Sequence, residues 1–253
     1  MSGPDRRWLA ALAPVALLVV IWHVAVVASQ SLIFPTPWQV VLGLVNLAAQ
    51  GLLVKHVVAS LFRVTYGYLL AAALAIPVGM LMGWFATAHT LLNPLVQGLR
   101  PISPIAWIPL AILWFGVGDL SPIFLIFLSS FFPMVVGTAA GVMTIDKKLL
   151  RAATNFEFTG FRLFRSVVLP AALPQIVIGM RIGLGVAWLV VVAAEMIAVN
   201  SGLGYLIIDS RNAGNRYDLV VAGMVTIGVI GFLLDGLMRR LERLDEVRWR
   251  YET

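Results

Sequence analysis

The sequence predicts an all-α membrane protein that crosses the bilayer about six times. Of its 253 residues, 60% are hydrophobic and only 12% are charged. A soluble domain of this length carries about twice that charge, and its core could not bury so much apolar surface. Apolar runs of bilayer length alternate with short polar segments. Residues 1–253 therefore fit a single polytopic membrane domain.

The first apolar run, Trp8–Ala28, follows Arg6 and Arg7. A signal peptide begins in the same way, but a run of about 21 residues favours a retained span. Further on, Thr36 is placed to cap a helix over Pro37–Gln50. That helix either lies in the membrane interface or simply connects two spans. The remaining spans are predicted at Val57–Phe85, Ile105–Val117, Ser121–Met143, Ile176–Ala198 and Leu219–Met238.

The third predicted span is short, and Pro101, Pro104 and Pro109 interrupt its beginning. Irregular backbone at membrane depth must be buried in protein or line a water-filled cavity, and broken helices often line transport pathways. Pro101 and Pro104 are therefore candidate pathway or gate residues, together with Trp188 and Asn200. The alternative is that the prolines merely end a short helix.

Basic residues are distributed unequally between the two sides of this six-span arrangement. Four lie on one side, at Lys55, Arg63, Arg211 and Arg216. Fourteen lie on the other, at Arg6, Arg7, Arg100, Lys147, Lys148, Arg151, Arg162, Arg165, Arg181, Arg239, Arg240, Arg243, Arg248 and Arg250. The richer side is expected to be cytoplasmic, which places there both termini, the loop at about 146–170 and the tail 239–253. Because the basic residues lie between and after apolar spans, the net charge of +6 does not indicate a nucleic-acid partner.

Several kinds of chemistry are excluded by composition and motifs. The chain has no cysteine, so it has no disulfide, thiolate metal site or cysteine nucleophile. Its three histidines are far apart, and no Walker-type loop, GxSxG or HExxH motif is present. We therefore expect no enzymatic activity, and no metal or cofactor bound by this chain itself.

The loop between the fourth and fifth spans contains an amphipathic stretch, Leu149–Pro170. Arg151, Arg162 and Arg165 surround its apolar side chains. These apolar side chains are Leu150, Ala153, Phe156, Leu163 and Phe164. Such a segment either docks into a groove on a soluble partner or is a solvated loop whose apolar face lies against the membrane.

This loop resembles the EAA coupling loop of binding-protein-dependent ABC importer permeases, which has the pattern E-A-A-x3-G-x9-I-x-L-P. Residues that match the pattern are Ala152, Ala153, Val167, Leu169 and Pro170, and the coupling loop implied by the resemblance also includes Gly160. Two positions depart from it, since Arg151 replaces the glutamate and Glu157 replaces the glycine. A residue other than glycine pays a penalty for positive φ, so we expect the turn to be built differently here.

Other segments resemble the nitrate/sulfonate/taurine/bicarbonate branch of these permeases. They are Phe34–Pro37, Arg100–Pro104, Leu113–Gly118, Ala193–Met196, Asn200–Tyr205 and Arg211–Asn212. The resemblance implies the transmembrane domain of a type I ABC importer in the bacterial inner membrane, with a second permease copy completing the pathway. It also implies partner ATPase subunits that bind ATP and Mg, an external substrate-binding protein, and a small solute, expected to be an anion such as nitrate, bicarbonate, a sulfonate or taurine.

Two other functional classes remain as alternatives. An ion-coupled secondary transporter would need no ATPase and would use intramembrane acids, for which Glu195 is the one candidate. A membrane-embedded enzyme would need a nucleophile–base or metal constellation, and the sequence offers none. Co-purification with an ATPase separates both alternatives from the ABC permease.

Two intramembrane charges, Arg63 and Glu195, each lie on a helix face that also carries a row of small residues. Such a row, or ridge, allows a neighbouring helix to approach closely. The ridge of the second span consists of Gly67, Ala71, Ala75, Gly79 and Gly83, and Arg63 continues it. The ridge of the fifth span consists of Gly179, Gly183, Ala187 and Val191, and Glu195 ends it. Because both charges lie at similar depth, we predict an ion pair near the outer gate. Alternatively each snorkels separately, or Glu195 pairs with Arg211 or Arg216.

Overall fold

A computed structural model describes residues 4–30 and 33–242, with side chains described for 13–30 and 33–242. None of these residues lies in a β-strand, as the all-α prediction requires. The helices are α1 (Pro4–Ser29), α2 (Pro37–Ala49), α3 (Leu52–Trp84), α4 (Ala86–Leu99), α5 (Ile108–Phe115), α6 (Leu120–Met143), α7 (Lys147–Asn155), α8 (Gly160–Leu163), α9 (Leu169–Ala198), α10 (Leu203–Asn212) and α11 (Tyr217–Glu242). A 3-10 turn, Pro104–Trp107, precedes α5, and a π-helical turn, Phe164–Val168, joins α8 to α9.

Within the described residues, four helical segments are long and apolar enough to cross a membrane. They contain α3, α6, α9 and α11, and the bent pair of α4 and α5 counts as a fifth. The first predicted span corresponds to α1, of which Ala13–Ser29 is apolar over its described side chains. The count thus agrees with about six spans once α1 is included. Of the predicted tail, residues 239–242 belong to α11, and residues 243–253 lie outside the described part.

The predicted limits of the third span are wrong. Residues 86–99 also form a helix, and the segment Pro104–Phe115 is bent by 84° from it. The predicted span covers only the part of this bent pair that follows the break, because His89, Asn93 and Gln97 interrupt the apolar pattern of α4. The prolines lie in and beside the break between the two halves, as their backbone chemistry requires.

The predicted cap of α2 is confirmed. The Gln39 amide donates to Thr36 Oγ1 at 3.3 Å, and the Thr36 amide donates to Gln39 Oε1 at 2.7 Å. These reciprocal bonds form a capping box that satisfies two free amides at the start of the helix. The buried face of α2 includes Gly43, which lies against Asp218 and Leu219 at the start of α11. The helix is therefore packed between other elements of the protein.

The core of the domain is α6, which lies between α3 and α9. A Cβ atom at Gly79 would lie 2.6 Å from Thr138 Cβ, so α3 and α6 approach closely along the small-residue ridge. On the other side, a Cβ atom at Gly137 would lie 2.8 Å from Gly179 Cα of α9. Both ridges thus face α6, and this shared packing brings the ends of α3 and α9 together beside Asp119.

Candidate functional site

Arg63 and Glu195 are in contact at one end of the helical bundle. Arg63 Nη1 lies 2.6 Å from Glu195 Oε1, and the two side chains are 2% and 0% exposed. Neither side chain therefore snorkels to a surface. Arg216, one of the alternative partners, instead contacts Asp218 at 2.8 Å.

The carboxylate of Glu195 is held by more than the ion pair. Ser60 Oγ donates to Glu195 Oε2 at 2.8 Å, and the Gly204 amide donates to the same oxygen at 3.1 Å. The Leu203 amide in turn donates to Ser60 Oγ at 2.9 Å. The first amides of α10 therefore point toward the carboxylate and its serine partner, where a negative charge is favourable.

Gly202 makes the close packing of this carboxylate possible. Its φ of +107° is a conformation that side-chain-bearing residues rarely adopt. A Cβ atom there would overlap the carboxyl group of Glu195. The Gly202 amide also donates to His56 Nδ1 at 3.1 Å. The connection between α9 and α10 is thus built around Glu195 and fixed to α3.

Arg63 has a second carboxylate partner, Asp119, which precedes α6. Arg63 Nη2 lies 2.7 Å from Asp119 Oδ1, and the side chain of Asp119 is 58% exposed. The guanidinium also donates to Ser201 O at 2.7 Å and to Ser201 Oγ at 2.6 Å. Nearby, the Gly118 amide donates to Ala198 O at 3.1 Å. Arg63 therefore joins α3, α9, the loop before α6 and the loop before α10.

We call this group the Arg63 cluster: His56, Ser60, Arg63, Asp119, Glu195, Ser201 and the amides of residues 202–204. Of these residues, only Arg63 and Glu195 are predicted as a site from the sequence. One signal pointed to Asp119, because the sequence has no Asp or Glu between Asp5 and Asp119. Ser60, Ser201 and the backbone amides give no comparable signal, because their partners lie on other elements, most of them distant in the sequence.

Beside the cluster, Tyr205 of α10 stacks on His56 with ring centroids 6.1 Å apart. Its hydroxyl donates to Asp209 Oδ1 at 3.2 Å. The negative charge of Asp209 raises the pKa of the Tyr205 phenol. The phenol therefore stays a neutral donor across the physiological pH range.

The loop at 146–170 contains α7 and α8. The turn that ends α7 is closed by two bonds: the Glu157 amide donates to Thr154 O, and the Phe158 amide donates to Ala153 O, both at 3.0 Å. This is the Schellman pattern of a helix C-terminus. Glu157 has a φ of +62°. The expectation of a different turn is wrong, because Glu157 itself adopts the left-handed conformation that glycine favours.

Most apolar side chains of this loop pack against the protein's own membrane domain. Ala153 is buried, and Leu150, Leu163 and Phe164 are half-buried beside Val142 and its neighbours. In the permease alone, Leu150, Leu163 and Phe164 thus cover the protein's own surface, because an amphipathic helix uses its apolar face on whichever surface lies beneath it. Docking of this loop on a partner stays a prediction. The exposed residues of the loop include Arg151, Ala152, Phe156 and Phe161, and the side chains of the two phenylalanines are each 77% exposed.

The loop continues into α9 without an interruption of helical structure. From Gly160, which has a φ of +51°, to Ala198 the chain forms one helical segment of 39 residues. The π-helical turn ends directly before Leu169 and Pro170. Proline lacks an amide hydrogen for the regular helical bond, and the wider turn lies where that bond is missing.

The remaining candidate gate residues lie on different elements. Trp188 is buried, and its indole Nε1 donates to Ile227 O at 3.1 Å, which fixes α9 to α11. Asn200 is exposed in the loop beside the Arg63 cluster. Pro101 and Pro104 lie at the break between α4 and α5.

A second charge cluster, which the sequence analysis did not predict, joins α9 to α11. Arg181 Nε lies 2.9 Å from Asp235 Oδ1, and Arg181 Nη1 lies 3.0 Å from Glu242 Oε2. Arg239 also contacts Asp235, at 2.8 Å. We call these four residues the Arg181 cluster. It lies toward the opposite ends of α9 and α11 from the Arg63 cluster.

Comparison with known proteins settles the family. The family model described as "Binding-protein-dependent transport system inner membrane component" matches residues 75–244. The chain belongs to this family. It is therefore the membrane-spanning permease component of an ABC importer, a multi-pass membrane protein rather than a catalytic subunit.

Relatives extend the likeness over nearly the whole chain. A putative ABC transporter permease protein of Methanocaldococcus jannaschii is 42% identical over 233 residues, covering 90% of this chain and 87% of that protein. The taurine transport system permease protein of Escherichia coli is 40% identical over 235 residues, covering 90% and 84%. A putative aliphatic sulfonates transport permease protein of Bacillus subtilis is 38% identical over 252 residues, covering 98% and 91%.

A solved structure shows the same fold. The chain is similar to one from inward-facing conformations of the MetNI methionine ABC transporter, with a TM-score of 0.67 at 19% identity. The match covers 76% of this chain and 95% of that one. The predicted resemblance to a type I ABC importer transmembrane domain is thus confirmed.

Proposed function

We propose that two copies of this permease form the import pathway for a small anion. A substrate-binding protein delivers the anion at the face that carries the Arg63 cluster. ATPase subunits, which bind ATP and Mg, dock at the opposite face on loop 146–170. Phe156 and Phe161 carry the docking proposal, since these two large apolar side chains are each 77% exposed, whereas Leu150, Leu163 and Phe164 pack on the protein's own domain.

A small anion is the substrate class that the relatives favour. Two of them are described as permeases for taurine and for aliphatic sulfonates, and both solutes carry a sulfonate group. Selectivity among such anions resides mainly in the binding protein. Uptake of radiolabelled taurine, an alkanesulfonate, nitrate and bicarbonate by the assembled transporter tests the proposal, and import only of solutes without an anionic group would contradict it.

Removal of the exposed rings tests the docking surface. We expect Phe156→Ala and Phe161→Ala each to weaken co-purification of the ATPase at least about tenfold, because exposed aromatic anchors commonly contribute most of an interface's binding energy. Affinity capture of the permease followed by quantification of the ATPase measures this. Ala153→Asp is a poor test, because Ala153 is buried in the permease itself.

Phe232→Ala is the matched control, since Phe232 is also 77% exposed but lies on α11. It should leave ATPase capture unchanged. Equal loss in all three variants, or no loss at Phe156 and Phe161, would contradict docking on loop 146–170.

The proposed orientation has both termini in the cytoplasm. The excess of basic residues on the side of loop 146–170 supports it. Alkaline phosphatase fused after Thr253 should be inactive, and the same enzyme inserted near Asn212, between α10 and α11, should be active. The reverse pattern of activity would show that the orientation is inverted.

A further inference from the structure

The break between α4 and α5 lies within the depth of the membrane. Ser121 Oγ lies 3.0 Å from Ala111 O and 2.6 Å from Gly116 O, which fixes the end of α5 beside the start of α6. From that end, the segment Pro104–Phe115 extends back by only about 18 Å. The start of α6 lies beside Asp119 of the Arg63 cluster, at the end of the bundle proposed above to face outward. Because the hydrocarbon core is about 30 Å thick, the break then falls inside it.

Arg100 lies at this break, as the residue that ends α4. It is the only residue with a formal charge between Arg63 and Asp119. Its side chain is exposed, and its guanidinium has no ion-pair partner among the described side chains. A charge at membrane depth normally faces the bundle interior or a water-filled cavity, where it marks a substrate pathway. The positive-inside count assigned Arg100 to the cytoplasm, whereas the packing of α5 places it deeper.

Polar side chains lead along α4 to Arg100. His89, Asn93, Gln97 and Arg100 fall within an arc of about 80° on the helix surface. Gln97 Nε2 donates to Asn93 Oδ1 at 3.5 Å, which leaves both residues with further hydrogen-bonding capacity. Leu91 and Leu95 lie on the opposite side and are 67% and 61% exposed. One face of α4 thus suits water and solute, and the other suits lipid.

We propose that Arg100 is an anion-binding residue inside the transport pathway, and that Asn93 and Gln97 line the route between it and the cytoplasm. This deepens the proposed function and rests on it. The transported group would be a sulfonate or another small oxyanion, because residues 64–118 offer it one cation, Arg100, and no competing acid. Hydrogen bonds from the amide side chains replace part of its hydration.

The absence of native cysteine allows a direct test in the assembled transporter with its ATPase and binding protein. Single variants Asn93→Cys, Gln97→Cys and Leu95→Cys are reacted with two water-soluble reagents. One is sulfonatoethyl methanethiosulfonate, an anion, and the other is trimethylammonioethyl methanethiosulfonate, a cation. The first two variants should react, whereas the Leu95→Cys control should not, because that position faces lipid.

The charge of Arg100 is tested in the Gln97→Cys background. We compare the rates at which the anionic and the cationic reagent react with the cysteine at position 97. Arg100→Gln should lower the anionic-to-cationic rate ratio about fivefold or more, whereas Arg100→Lys should keep the ratio. Excess methanesulfonate should slow the reaction at Gln97→Cys only when position 100 is cationic. An unchanged ratio in Arg100→Gln would overturn the proposal.

A second comparison separates a pathway from a helix lying in the membrane interface or paired with anionic lipid. With ATP and a hydrolysis-deficient ATPase, the transporter closes toward the cytoplasm, and reaction from that side should fall at both polar positions. Equal rates in both states, or protection by anionic lipid but not by methanesulfonate, would overturn the proposal. The transporter could import none of the four solutes in the uptake assay and still show the expected cysteine reaction rates. In that case the proposed substrate class fails, and the polar route along α4 stands.

Discussion

The two charge clusters use the same residue types in different surroundings. In the Arg63 cluster, Arg63 and Glu195 are 2% and 0% exposed, and serines and backbone amides complete their hydrogen bonding. In the Arg181 cluster, the side chains of Arg181, Asp235 and Glu242 are 26–38% exposed. Breaking a buried pair leaves an uncompensated charge, whereas water and salt replace an exposed partner. The comparison teaches that burial, not the number of ion pairs, decides what each cluster contributes.

The largest expected effect comes from Glu195→Gln. It leaves Arg63 buried with only the exposed Asp119 as a charged partner, and we expect a loss of about 3–5 kcal/mol of stability. Thermal unfolding of the detergent-solubilised permease measures the loss. A loss below about 1 kcal/mol would show that Asp119 and Ser201 suffice for Arg63.

The Arg63→Gln variant and the double variant complete a cycle. Because the residues are in contact, the double variant should lose clearly less than the sum of the two single losses. A charge-swapped pair would be a weaker test, since an arginine at position 195 would meet the Gly204 amide and the packed backbone of Gly202.

The second effect concerns the loop that encloses Glu195. Gly202→Ala adds a methyl group where the carboxyl group lies, at a φ of +107°. Gly214→Ala is a matched control, because Gly214 has a φ of +113° but nothing within 4 Å. We expect the control to lose about 1–2 kcal/mol from backbone strain and Gly202→Ala to lose at least about 2 kcal/mol more from the overlap. Equal losses in thermal unfolding would show that the loop moves away from Glu195 easily.

The smallest effect is expected in the Arg181 cluster. Asp235→Asn and Glu242→Gln should each lower stability by less than about 1 kcal/mol, because their charges are partly solvated. The losses should shrink further at high salt, whereas that of Glu195→Gln should not. A salt-independent loss of several kcal/mol at Asp235 would remove the distinction between the clusters.

Local patterns predicted much of this fold correctly. The Thr36 cap depends on residues three positions apart, and the apolar runs reflect the thickness of the bilayer. The Arg63–Glu195 contact followed from ridge spacing and membrane depth. By contrast, α4 was missed because its polar face breaks the apolar run, although that face is consistent with a helix beside water.

The errors share a physical origin in contacts between distant segments. An amphipathic loop shows which side chains prefer burial but not which surface buries them, so the sequence left a partner groove and the membrane as alternatives for loop 146–170. Arg181 was counted only as a cytoplasmic charge, because nothing local connects it with Asp235 in α11. The Leu203 amide reaches Ser60 and the Gly204 amide reaches Glu195 only after α10 folds back against α3 and α9.

The unbroken course of the chain from loop 146–170 into α9 has a mechanical consequence. Leu169 directly follows the π-helical turn, and Glu195 lies about 39 Å farther along the same rigid rod. A tilt of only about 6° at that turn would displace the carboxylate by about 4 Å. Added to the present 2.6 Å between Arg63 Nη1 and Glu195 Oε1, a displacement of that size away from Arg63 would break the direct contact. A slight reorientation beside loop 146–170 would thus be magnified into the breaking of a contact at the far end of α9.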